Sequence, residues 1–134
     1  MILGLDISTS ITGVTLLDEH GNIIRNFAID TRKYTNFFEK AEKVRKALAE
    51  MKIVPNRVFI EQSLQSFRSG FSSAKTLSTL ARFNGVVSWI CYNYWDVEPE
   101  YISATSARKL VGIRVPRGEK AKKCVINYKN ARTL

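Results

Sequence analysis

The chain has 134 residues, enough for one domain with a single hydrophobic core. Its apolar fraction of 45% and charged fraction of 25% are ordinary for a folded protein, and no apolar run approaches the roughly 20 residues that a membrane-spanning helix needs. The net charge of +9 is concentrated at one end: residues 1–107 hold 12 basic and 11 acidic side chains, whereas residues 108–134 hold 9 basic and one acidic. Such a segment is typical of a protein that binds a polyanion, most simply nucleic acid, although a solvated basic tail is the alternative.

The first 30 residues predict three antiparallel strands, over 2–7, 11–18 and 23–29. A hairpin turn at 18–22 joins the last two, with Gly21 and Asn22 suited to positive φ. The N-terminus reads as a strand and lacks the basic region and apolar region of a signal peptide. We therefore expect an intracellular protein without a membrane partner.

Helices and strands alternate in the rest of the chain. Apolar residues recur at helical spacing over 36–51, Pro55 and Asn56 end that helix, and a strand follows over 57–61. A polar, serine-rich stretch (62–73) leads to a long apolar helix over 74–94, in which Gly85 predicts close packing against another element. The remaining elements are a strand over 97–103, a short helix over 105–110 and a basic helix over 118–129.

This order predicts an α/β fold with a mixed five-stranded sheet flanked by helices. Three antiparallel strands come first and parallel strands follow. We expect one domain over residues 1–134. The two cysteines, Cys91 and Cys124, are far apart in the sequence and are predicted to be inert thiols.

Two acidic residues each end a short apolar strand, Asp6 the first and Glu61 the fourth. If these strands are parallel neighbours, the two carboxylates converge at the sheet edge where α/β proteins collect ligands. Carboxylates that close repel unless a cation lies between them, and Mg²⁺ prefers such oxygen ligands. The alternatives are that Asp6 caps the following turn and that Glu61 pairs with Arg57 or Arg68.

Four segments carry a resemblance to a known family: "ILGLDISTSITGVTLLD" (2–18), "VFIEQS" (58–63), "SAKTLSTLARFNGVV" (73–87) and "VEPEYISATSARKLVGIRVPRGEKAKKCV" (97–125). In this order and spacing they resemble the RuvC-type Holliday junction resolvases, which have an RNase H-like fold. The resemblance implies a dimeric, Mg²⁺- or Mn²⁺-dependent endonuclease of bacterial or phage type. Such enzymes bind four-way DNA junctions and nick two opposed strands symmetrically.

The resemblance also assigns roles to residues. Asp6 and Glu61 match the first two metal-binding acids, and Lys109 and Lys120 lie where the family places basic residues near the scissile and flanking phosphates. The helix over 74–94 is similar to the one that builds the family's dimer interface. The residues expected to contact DNA are Gln62, Phe67, Arg68, Arg108, Lys109, Arg114, Arg117, Lys120, Lys122 and Lys123.

The chain departs from the family pattern in two places. Leu64 stands where the family has a phenylalanine that stacks on junction bases; Phe67 or Phe71 could replace it, or both could be core residues. The family also ends with a helix that supplies further metal-binding acids, whereas this chain has only Glu119 after Leu110. We therefore expect a chain truncated at its C-terminus relative to a working enzyme, or a further ligand elsewhere; the other acids near the site are Asp96, Glu98 and Glu100.

Three classes of function remain open. The first is a junction-resolving nuclease, and the second is a catalytically incomplete DNA-junction-binding module with the same fold. The third is a fragment of the sugar-kinase and actin-like ATPase class, whose first hairpin also reads "GLDISTSITG", although the chain is short for two lobes. His20 is predicted to be a solvent-exposed turn residue, and Trp89, Tyr92 and Tyr94 to pack in the core or at a dimer interface.

Overall fold

The computed structural model describes residues 1–62 and 73–103. In chain order their elements are β1 (Ile2–Asp6), β2 (Ile11–Leu17), β3 (Ile23–Asp30), α1 (Phe37–Glu50), β4 (Arg57–Gln62), α2 (Ala74–Trp95) and β5 (Glu100–Ser103). The helices predicted over 105–110 and 118–129 lie outside the described residues.

The five strands form one mixed sheet in the order β3-β2-β1-β4-β5. β1 pairs with β2, and β2 with β3, in antiparallel fashion, whereas β1 with β4 and β4 with β5 are parallel pairs. The predicted fold class, three antiparallel strands followed by parallel ones, is confirmed. β1 is the central strand, so its carboxyl end lies in the middle of one sheet edge.

The core lies on one face of the sheet. Alternate strand residues on that face are buried, and the helices cover them with side chains at three- and four-residue spacing. The buried strand residues are Leu3, Leu5, Val14, Leu16, Val58 and Ile60, and the helical residues packed on them include Ala41, Val44, Leu48, Phe83, Val87 and Cys91. Both α1 and α2 therefore lie on the same face, and Asp6 lies on the opposite one.

Side chains at the element ends fix the helix boundaries close to the predicted ones. Asn36 caps α1 and accepts hydrogen bonds from the amides of Phe38 and Glu39 at 2.9 and 3.1 Å. Ser73 caps α2 through the amide of Thr76 at 3.1 Å. Neither described helix combines the length and apolar character that crossing a membrane would require.

Two local predictions are corrected by the structure. In the hairpin turn only Gly21 has positive φ, at 81°, because the side chain of Asp18 accepts the amides of His20 and Asn22 and holds Asn22 in ordinary backbone geometry. These bonds, that from Asn22 foremost, hold the pKa of Asp18 below its usual value. β5 starts at Glu100 rather than at residue 97, since Pro99 has no amide hydrogen to donate to a neighbouring strand.

Candidate metal and DNA-cleavage site

Asp6 is the last residue of β1, and its side chain is exposed. Leu5 and Ile7, on either side of it, point into the core, so strand alternation directs Asp6 to the opposite face. The Asp6 carboxylate therefore lies on the less buried face of β1, within reach of solvent. On β2 the partner of Asp6 is Gly13, where an added Cβ would lie 3.7 Å from the Cβ of Asp6.

Glu61 lies beside Asp6 on the neighbouring parallel strand. The register pairs Leu5 with Ile60, so the next residues along the two strands, Asp6 and Glu61, stand side by side. Ile60 is fully buried, which turns Glu61 to the same face as Asp6. Because paired strands are about 4.8 Å apart, the two carboxylates share the carboxyl edge of the sheet.

The turn after Asp6 is closed by other side chains. Ser8 Oγ accepts the amide of Ser10 at 3.2 Å and lies 3.0 Å from the Ser10 hydroxyl. Among residues 1–62 and 73–103, no hydrogen bond or ion pair involves the Asp6 carboxylate. The alternative that Asp6 serves as the cap of this turn is therefore not what the structure shows.

Arg57, one of the two cations considered as a partner for Glu61, pairs with Glu100 instead. Its guanidinium donates two hydrogen bonds to that carboxylate, at 2.9 and 2.8 Å, and lies 4.7 Å from the centre of the Phe59 ring. The arginine holds the pKa of Glu100 below its usual value. Glu100 is thus held in an ion pair with Arg57. In the β4–β5 register it lies opposite Phe59, two residues before Glu61 along β4.

Other acids near the sheet also have structural roles. Asp96 ends α2 in the left-handed conformation, with φ of 55°, and its amide donates to the carbonyl of Tyr92 at 2.8 Å. Asp30, at the end of β3, binds Arg32 at 2.7 Å, and this hydrogen-bonded pairing lowers the pKa of Asp30 to about 2. Over the described ranges, no group of three or more Asp, Glu, His or Cys side chains is placed to hold a metal ion.

Three residues that the sequence pattern did not indicate form hydrogen bonds to the backbone just after Asp6. Thr12, Thr31 and Lys40 all donate side-chain hydrogen bonds to carbonyl groups of residues 8–10. Thr12 and Thr31 are both fully buried. A threonine that directly follows a strand, as Thr31 follows β3, was the one available signal, but its partners lie more than 20 positions earlier in the chain.

An apolar groove lies between α1 and α2. Its volume is about 780 Å³, and it is lined by Phe37, Phe38, Thr79, Arg82, Gly85, Val86 and Trp89. Phe38 and Trp89 are 72% and 61% exposed. A Cβ added to Gly85 would meet no described atom within 4 Å, so the predicted close packing of this glycine against another element is not found among residues 1–62 and 73–103.

The predictions for the aromatic residues at the end of α2 and for Cys91 have different outcomes. Tyr92 and Tyr94 are about half exposed, like Trp89, so none of the three is a core residue. Cys91 is buried and free, and burial raises the pKa of its thiol to about 12, as suits an inert thiol.

Of the residues expected to contact DNA, Gln62 is the last residue of β4 and is exposed. The others lie outside the described residues, together with Cys124, Leu64 and Phe71: Phe67, Arg68, Arg108, Lys109, Arg114, Arg117, Lys120, Lys122 and Lys123. These DNA contacts therefore stay predictions from the sequence, and the structure gives a position for Gln62 among them.

The sequence and the fold were compared with those of known proteins. No family model and no curated protein matches the sequence. Solved structures do match, and they define a class: the sheet and its helices have the fold of the RuvC Holliday junction resolvases, as the sequence resemblance predicted.

Two such structures come from Thermus thermophilus. RuvC in complex with a Holliday junction substrate matches with a TM-score of 0.67 and 10% identity, over 81% of this chain and 67% of that one. A second RuvC structure matches with a TM-score of 0.59 and 16% identity, over 92% of this chain and 73% of that one. At these identities the likeness concerns the fold.

Proposed function

We propose that this chain is a metal-dependent endonuclease that resolves four-way DNA junctions by paired, symmetric nicks. The observation that carries the proposal is the position of Asp6 and Glu61, side by side on one face of the sheet at the ends of β1 and β4. A fold shared with RuvC, one structure of which holds a Holliday junction substrate, supports the choice of substrate.

Mg²⁺ or Mn²⁺ is the cofactor that this pair of residues fits. Two carboxylates on adjacent strands offer hard oxygen ligands, which these ions prefer. The Asp6 carboxylate is exposed, so an ion bound to it could also contact a substrate phosphate. An ion held by Asp6 and Glu61 would supply an activated water and would offset the charge of the scissile phosphate. Asp6 and Glu61 hold their positions because β1 and β4 are interior strands, hydrogen-bonded on both sides.

The basic C-terminal residues supply the charge for DNA. Lys109 or Lys120 would stabilise the negative charge that grows on the phosphate during cleavage. The rest would contact the DNA backbone or bases: Gln62, Phe67, Arg68, Arg108, Arg114, Arg117, Lys122 and Lys123. Because phosphate contacts release bound counterions, affinity should fall steeply as salt rises.

A homodimer would place two such sites on the two opposed strands of a junction. The groove between α1 and α2 is the surface we assign to the partner copy, because it is apolar and carries two exposed aromatic rings. Gly85 within it leaves space for the close approach of a second helix.

A second candidate is a junction-binding module without catalytic activity. The specific observation in its favour is the absence of a third acid beside Asp6 and Glu61 in the described part of the chain. The sequence after Leu110 adds only Glu119. Two carboxylates alone hold a divalent ion weakly, so binding without cleavage is the outcome this candidate predicts.

Single substitutions of the two acids test the proposal. Asp6→Asn and Glu61→Gln should each lower the Mg²⁺-dependent cleavage rate of a four-way junction by at least about 100-fold, while junction binding is kept. Glu19→Gln is the matched control: Glu19 is an exposed residue of the hairpin turn, and its substitution removes the same charge away from the site. Equal cleavage by all three variants would refute the assignment of the acids.

A further inference from the structure

The turn that follows Asp6, residues 8–10, is held by side chains from three different parts of the chain. Thr12 on β2 donates its hydroxyl to the Ser8 carbonyl at 3.1 Å. Thr31, just after β3, donates its hydroxyl to the Thr9 carbonyl at 2.9 Å and its amide to the Ser10 carbonyl at 2.8 Å. Each of the three successive carbonyls of the turn therefore accepts a hydrogen bond, that of Ser8 from a residue four positions later and those of Thr9 and Ser10 from Thr31, more than 20 positions later.

Lys40 adds a charged bond to the same turn. It lies in the first turn of α1, is half-buried, and its ammonium group donates to the Thr9 carbonyl at 2.5 Å. The Thr9 carbonyl thus accepts both a hydroxyl and an ammonium hydrogen. Hydrogen bonds with a charged partner are about twice as strong as neutral ones, so this carbonyl is a fixed point of the turn.

We propose that Thr31 and Lys40 are positioning residues for the metal site, acting through the backbone that follows Asp6. Asp6 is exposed and its side chain has no described partner, so its carboxylate depends on the backbone for its position. On one side that backbone is fixed by the strand; on the other it continues directly into residues 8–10. The inference rests on the proposed function, because it takes Asp6 to be a metal ligand.

The burial of Thr31 supports a specific role for its hydroxyl. The residue is fully buried, and a hydroxyl in such a place costs free energy unless it is bonded. Its single hydroxyl hydrogen is shared between the carbonyls of Thr9, at 2.9 Å, and Ser10, at 3.1 Å. A valine would fill the same space and would leave both carbonyls without this donor. The hydroxyl therefore ties the end of β3 to the turn that follows Asp6.

Manganese binding to the full chain, measured by calorimetry without DNA, tests this inference. Thr31→Val should weaken Mn²⁺ binding by about tenfold, in the range seen when residues that orient metal ligands are lost. Thr31→Ser should restore it, because serine keeps the hydroxyl. Lys40→Met should also weaken binding, and it provides a second test at a half-buried position where folding is less at risk.

Ser88→Ala is the control for the loss of a buried hydroxyl as such. Ser88 lies on α2, is 7% exposed, and donates to the Asn84 carbonyl at 2.7 Å. Ser88→Ala removes a buried hydroxyl from α2 and not from the turn after Asp6, so it should keep the affinity for Mn²⁺.

The outcomes separate the two proposals. Wild-type affinity in both Thr31→Val and Lys40→Met, with binding abolished in Asp6→Asn, would overturn the positioning role and leave the metal site intact. No loss of binding in Asp6→Asn would overturn the metal site, and the positioning role with it.

Discussion

Trp89 allows the proposed dimer to be tested, because its exposed area gives the free energy that its burial would contribute to dimer formation. The residue lies in the groove between α1 and α2 and is 61% exposed. A tryptophan presents up to about 250 Å², so about 150 Å² of it faces solvent. If a partner copy covers half of that area, burial contributes about 2 kcal/mol per protomer at 25 cal/mol per Å², and about 4 kcal/mol for the symmetric pair.

We therefore expect Trp89→Ala to raise the dimer dissociation constant by several hundred-fold, since about 1.4 kcal/mol corresponds to a factor of ten. The protomer itself should keep its stability to within about 0.5 kcal/mol, because the side chain is mainly exposed. Sedimentation equilibrium over a range of protein concentrations measures the first quantity, and urea unfolding at a concentration where the chain is monomeric measures the second.

Val54→Ser is the matched control for the loss of an exposed apolar side chain. Val54 is 67% exposed and lies outside the groove, between α1 and β4, so its substitution should leave self-association unchanged. Equal dissociation constants for the wild type and Trp89→Ala would refute the assignment of the groove to a second copy.

Two further predictions concern stability. The pKa of Cys91 is about 12 in the folded chain against a usual 9.0, so the unfolded chain loses this proton at lower pH than the folded one. The free energy of unfolding should therefore fall by about 1.4 kcal/mol per pH unit as pH rises from 9 towards 12, and the contribution is fully present below pH 9. Urea unfolding measures this dependence, which Cys91→Ala should lack. Lys52 follows α1 with φ of 53°, so Lys52→Gly should raise the free energy of unfolding by about 0.5–1 kcal/mol, whereas Lys46→Gly within α1 should lower it by about 1 kcal/mol, both measured by urea unfolding. A destabilised Lys52→Gly would show that the left-handed position carries no strain.

The sequence was sufficient for the order and type of the described elements because their signals are local. Alternation of Leu3 and Leu5, and the helical spacing of Ala41, Val44 and Leu48, depend only on the periods of strand and helix. The predicted neighbourhood of Asp6 and Glu61 needed one more assumption, that their strands are parallel neighbours, and the sheet has that order.

What the sequence could not supply depends on contacts between distant residues. Thr31 and Lys40 lie 22 and 31 positions from Thr9, so their hydrogen bonds to it exist only once the strands and α1 have assembled. The exposure of Asp6 likewise depends on which face of β1 the helices cover. The surroundings of Gly85 are a related case, because a glycine within a helix does not indicate what packs beside it, and no described atom lies within 4 Å of a Cβ added there.

We propose that Asp6 and Glu61 form the cleavage site of a junction-resolving nuclease. The decisive experiment incubates the chain with an end-labelled four-way junction and with a linear duplex of matching sequence, in Mg²⁺ and in EDTA. We expect paired, symmetric nicks in the junction in Mg²⁺, none in EDTA, none in the duplex, and none with Asp6→Asn. An intact junction in Mg²⁺, bound in preference to the duplex, would refute the cleavage site and identify a binding module instead.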